Sequence, residues 1–97
     1  MKPIVTSLRR IDVEGGDVLH ALKSQDKTFR GFGEAYFSLI RKGFIKPWRR
    51  HHHATLNLVV PSGAVRFITT AKGDIFEENI LSSQDNFVRL TIPPGLW

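Results

Sequence analysis

Glycine and proline punctuate this chain too densely for any helix to carry an apolar stripe through three turns. The marks are Gly15-Gly16, Gly31, Gly33, Gly43, Pro47, Pro61-Ser62-Gly63, Gly73-Asp74 and Pro93-Pro94-Gly95. Short runs rich in Val, Ile, Phe and Thr lie between them, as strands bounded by turns do. The best helical candidate, GEAYFSLI at 33–40, alternates at period two just as well. The pattern predicts strands over 3–12, 17–23, 34–42, 44–51, 54–60, 64–70, 75–81 and 87–92. Many short strands at this spacing imply an all-β sandwich or barrel of about eight antiparallel strands. Pro61-Ser62-Gly63 is expected to close a hairpin between LNLVV and AVRFITT, with glycine where positive φ is needed. Phe37, Leu39, Phe67, Ile75 and Ile92 are expected in the core.

At 97 residues the chain is one domain, spanning 1–97. A domain this short buries only ~60–65% of the surface its unfolded chain exposes, so a partner would help it. It has no cysteine, which excludes disulfides and thiolate metal sites. No run of eighteen apolar residues and no leader-like h-region is present, so a cytoplasmic protein without a membrane span is expected. The net charge is +5, and Arg41, Lys42, Lys46, Arg49 and Arg50 fall within ten residues. Such a basic lip suits a small anion such as a diphosphate, a polymer of phosphates, or simply solvent.

Beside that lip lies PWRRHHHATLNLVV, residues 47–60. If it is extended, His51, His53, Thr55, Asn57 and Val59 share one face and His52, Ala54, Leu56, Leu58 and Val60 the other. The second face is apolar almost throughout. A strand covered on both sides belongs inside a barrel or against a second subunit. His51 and His53, two apart, could also share one metal ion, with Asn57 as a poor third ligand. Trp48 and Trp97 can serve either as packing or as stacking surfaces.

From His51 to Gly63 the inward set reads H-x-H-x3-N-x5-G. This resembles the first cupin motif, G-x5-H-x-H-x3/4-E-x6-G, with Gly43 upstream and Asn57 where that motif has glutamate. Pro93-Pro94-Gly95-Leu96-Trp97 is similar to the start of the second motif, P-x-G-x2-H. The longer phrase GEAYFSLIRKGFIKPWRRHHHATLNLVVPSGAVRFI, followed by RLTIPPGLW, resembles the dTDP-4-dehydrorhamnose 3,5-epimerases and their short epimerase-like relatives in surface-polysaccharide synthesis. The resemblance implies a cupin-type jelly-roll barrel, incomplete at the C-terminus and completed by dimerisation. It implies a nucleotide-sugar ligand, no cofactor, His51 as catalytic base, and Trp48, Arg49, Arg50, His53 and Asn57 as substrate contacts.

Four departures bear on the chemistry. Val13-Glu14-Gly15-Gly16-Asp17 stands where the family carries a substrate-binding arginine. Thr55 or Leu56 stands where it has a lysine, and the family's general-acid tyrosine and the acidic partner of its histidine have no counterpart. Epimerisation beside a ketone needs a base near neutral pKa on one face and an acid on the other, which is why a histidine is suited to the first role. Two other readings follow from the same residues. One is a metal-binding cupin using His51 and His53. The other is a non-catalytic basic β module in which Arg66, Phe67, Phe87 and Arg89 meet a protein or, less expected, a nucleic acid.

Overall fold

The computed structural model describes residues 1–97, and every regular element in it is a strand. They are β1 (Ile4–Ser7), β2 (Arg10–Ile11), β3 (Val18–Leu19), β4 (Leu56–Leu58), β5 (Ala64–Thr70), β6 (Phe76–Ser82) and β7 (Val88–Ile92). The all-β expectation holds, with seven strands in place of eight. They form three antiparallel sheets, ordered β1-β7-β4, β2-β3 and β5-β6, and no closed barrel.

The hairpin expected across Pro61–Gly63 does not form. β4 pairs with β7, setting Leu56, Asn57 and Leu58 opposite Ile92, Thr91 and Leu90, while β5 pairs with β6. The turn instead carries the chain from one sheet to the other, and Gly63, at φ 79°, supplies the left-handed residue it requires. The β5–β6 hairpin has its own staple. Thr70 Oγ1 accepts from Gly73 N–H at 2.9 Å and donates to the Ile75 carbonyl at 2.7 Å.

β7 is buried along its whole length between β1 and β4. One face presents Val88, Leu90 and Ile92 to Val60, Leu81 and Leu96, with Leu56, Leu58, Val65 and Phe67 packed around them. Leu81 and Leu90 are fully buried. The opposite face is polar. Arg89, only 2% exposed, donates from Nη1 to the Ala21 carbonyl (2.7 Å) and Asp26 Oδ2 (3.2 Å), and from Nη2 to Thr28 Oγ1 (3.2 Å). Beside it Thr91 Oγ1 donates to Asn57 Oδ1 at 2.6 Å, and Asn57 Nδ2 donates to the Thr28 carbonyl at 3.1 Å. Segment 21–28 is thus fastened across the back of the sheet through side chains. Arg89 is therefore unavailable to an external polymer, which removes one member of the basic-aromatic set expected on the surface.

A second fastening holds the β2–β3 hairpin. Arg10 reaches Asp17 Oδ2 at 3.1 Å, donates to the Ser83 carbonyl and lies 5.9 Å over the Phe87 ring. The Arg10 guanidinium and the Val13 N–H, in that order, hold the Asp17 carboxyl below its ordinary 3.8. A depressed carboxylate stabilises the fold above its unfolded pKa and loses that contribution as pH falls through the folded one. Acid unfolding below about pH 4 should therefore be less steep in Asp17→Asn than in the parent. The difference should shrink in 1 M salt, since the pair is partly hydrated. Identical acid limbs in urea titrations would rule this out.

The strands expected over 34–42 and 44–51 are absent. Between Arg30 and Thr55 the backbone makes two hydrogen bonds, Phe44 N–H to the Arg41 carbonyl (3.0 Å) and Gly95 N–H to the His51 carbonyl (2.8 Å). The first closes a turn with Gly43 at φ 83°, and Lys46 Nζ reaches Ser38 Oγ at 2.8 Å across it. This exposed arm takes two residues out of the expected core, and the β5–β6 turn takes a third. Phe37 is 93% exposed, Leu39 86% and Ile75, on the β5–β6 turn, 75%. Phe67 is half-buried and Ile92 buried, as expected.

Candidate functional site

Residues 47–51 lie alongside the chain that follows β7. The His51 carbonyl accepts the Gly95 N–H, and Trp97 exchanges backbone hydrogen bonds with Thr70 in both directions, at 3.0 and 3.1 Å. The 95–97 segment therefore bridges the His stretch to the end of β5. Two side chains of the stretch seal this seam. Trp48 meets Phe76 with ring centroids 5.9 Å apart and planes at 53°, and the Arg50 guanidinium sits 4.7 Å over the Trp97 ring.

His51 is half-buried, whereas His52 and His53 are exposed and the chain bends at both. That bend interrupts the regular alternation expected to set His51, His53 and Asn57 on one face. Asn57 has both ends of its amide engaged, by Thr91 and Thr28. Arg49 is exposed and makes no ion pair within the chain, so it is the free cation of the stretch. No three side chains among His, Asp and Glu come together in a way that could hold a metal ion.

Two cavities that flank the fold are lined by residues outside 48–53. The larger, about 260 Å³, lies between Lys2, Thr69, Lys72, Glu77 and Leu96. The Thr69 hydroxyl is buried there without a hydrogen-bond partner. The smaller, about 110 Å³, lies between Ile4, Thr28, Arg30, Thr55 and Thr91 on the polar back of the sheet. The seam itself has the chemistry of a binding lip, with an exposed cation, an arginine on an indole ring and a half-buried imidazole. Reading the sequence did not find the Arg89–Asp26–Thr28 fastening or the contact of Trp97 with Arg50. Both join residues at least 47 positions apart, and no local pattern encodes such a meeting.

Among solved structures, the chain is similar to the crystal structure of a dTDP sugar isomerase from Desulfovibrio desulfuricans G20. Identity is 33% and the TM-score 0.92, over 98% of this chain and 64% of that one. The chain therefore spans just under two thirds of that protein's length. Scans against protein-family models and curated proteins find no match. The likeness establishes an all-β fold of the dTDP-sugar isomerase kind, and it extends through the unpaired arm, since nearly the whole chain is superposed.

Proposed function

We propose that this chain binds a nucleotide sugar at the 47–51 seam, as part of a homodimeric dTDP-sugar isomerase-like protein. The observation that carries the reading is the close superposition on a dTDP sugar isomerase at 33% identity. The seam supplies suitable chemistry. Arg49, unpaired and exposed, takes the diphosphate through charge-assisted hydrogen bonds. Arg50 is already committed to Trp97, so its part is to hold the seam together. Half-buried His51 is the group that takes the C–H proton beside the sugar's ketone, a role for which an imidazole suits neutral pH. Within one chain neither an acid for the opposite face nor a carboxylate paired with His51 accompanies it. Catalysis accordingly requires groups supplied from outside these residues. The lack of cysteine is compatible with a reducing cytoplasm, and no helix is long and apolar enough to cross a membrane.

Thermal-shift titration separates the two arginines. A dTDP-sugar raises the Tm of the parent protein. Arg49→Ala weakens that binding about tenfold, the loss of one charge-assisted pair, with little effect on the ligand-free Tm. Arg50→Ala lowers the ligand-free Tm instead. No shift with millimolar dTDP-sugar would overturn the proposal.

A further inference from the structure

The larger cavity, about 260 Å³, joins a buried hydroxyl, charges of both signs and an apolar wall. Its hydroxyl belongs to Thr69, which pairs in register with Glu77, so both side chains stand on one face of the β5–β6 hairpin. Thr69 is only 5% exposed, and its Oγ1 has no hydrogen-bond partner. The neighbouring Thr70 makes the contrast, since its hydroxyl is engaged by both Gly73 and Ile75. A buried hydroxyl left unpaired costs about 1–3 kcal/mol. A group in that state calls for a partner from outside the chain.

The charges narrow what that partner is. Glu77 has Lys2 at 3.5 Å, but the Lys2 side chain is 79% exposed, and such a pair contributes little and opens readily. Lys72 makes no ion pair, and Asp74 accepts the Ile75 N–H at 2.9 Å. A simple anion in the cavity would meet Glu77 and Asp74, and a simple cation would meet Lys2 and Lys72. A molecule with one charge of each sign escapes both repulsions. Buried Leu96 and exposed Ile75 and Met1 complete the lining, so an apolar portion laid on them leaves water. The volume exceeds the roughly 150 Å³ of a cavity that takes benzene and falls short of the about 300–1,000 Å³ of drug-sized pockets.

We propose that this cavity binds a small zwitterion with an apolar side chain, an α-amino acid of leucine size. Lys72 takes the carboxylate and Glu77 the ammonium, each through charge-assisted hydrogen bonds. A turn of Thr69 about χ1, between staggered positions, brings its hydroxyl to the carboxylate. The side chain lies against Ile75, Met1 and Leu96. No residue of the 47–51 seam takes part, so the proposal is independent of the reading above.

Isothermal titration of the ligand-free protein with L-leucine tests it, beside isocaproate, which lacks the ammonium, and isoamylamine, which lacks the carboxylate. Leucine binds at millimolar concentration or below, and each fragment binds about tenfold more weakly, the loss of one charge-assisted contact. Thr69→Val keeps or raises the ligand-free Tm, because the hydroxyl it removes has no partner to lose, yet it weakens leucine about tenfold. Lys72→Ala weakens leucine with the ligand-free Tm unchanged, while Arg49→Ala binds leucine as the parent does. Absence of heat with millimolar leucine overturns the proposal. So does leucine binding that survives Thr69→Val unchanged, or a fragment that binds as tightly as leucine, which would make this a site for one sign of charge only. None of these results bears on the dTDP-sugar shift, which is judged on its own.

Discussion

Arg89→Ala lowers the Tm by about 15 °C, because it removes about 3 kcal/mol from a domain in which each kcal/mol is worth roughly 4–8 °C. The guanidinium is almost entirely buried and joins three points of segment 21–28 to the central strand. Truncation strands the Ala21 carbonyl and the Thr28 hydroxyl and leaves Asp26 without its cation. The loss sits at the low end for a buried pair because the Asp26 side chain keeps 23% of its exposure and can recover water. Arg89 Nε already lacks a partner, so the charge carries a desolvation cost as well as a benefit. Replacing both members, Arg89→Met with Asp26→Leu, should therefore regain most of the lost stability. A Tm within 2 °C of the parent for Arg89→Ala, read by circular dichroism, would show that the fastening is not made.

Leu90→Ala costs about 3 kcal/mol, the middle of the range for a buried leucine that leaves a cavity. Leu90 is fully buried on the strand that both neighbours share, and only five other apolar residues are buried with it. With so few core members the site cannot collapse without parting the two sheets. A domain of this length has on the order of 5–15 kcal/mol in all, so the variant loses a large fraction of its margin. In urea, the midpoint should fall while the slope stays constant. A midpoint shift below one tenth of the parent value would place Leu90 outside the core.

Both expectations depend on pairings that no local pattern announces. β5, β6 and β7 lie within one residue of the runs read at 64–70, 75–81 and 87–92, because each has a β-rich run and a turn of its own. The runs at 34–42 and 44–51 carry an equally good strand signal, yet they join no sheet of their own chain, and a single backbone bond from Gly95 to the His51 carbonyl ties them to the body. Propensity reports that a segment suits a sheet and is silent on whether an edge is within reach. For the same reason Phe37 and Leu39 read as core and stand in solvent. The expected Pro61–Gly63 hairpin shows the converse, since adjacency in sequence favoured β4 with β5 while β7 offered β4 a buried face.

The candidate site divides in the same way. His51, Arg49 and Trp48 were legible as chemistry, from residue type and from spacing along the strand. Their surroundings were not. Asn57 reads as an inward-facing ligand and is instead held at both ends of its amide by Thr28 and Thr91. Arg50 reads as a phosphate contact and lies on the ring of Trp97.

Local order alone determined that this chain is all-β, where most of its turns fall, and that one basic, histidine-rich stretch adjoins its apolar run. Turn chemistry and side-chain alternation act over a few residues, so they can be read one window at a time. Tertiary structure alone decided which edges meet, which arginine is buried, and that the arm has no partner at home. Those outcomes depend on burial and charge compensation between residues tens of positions apart, and only the folded chain sets such distances.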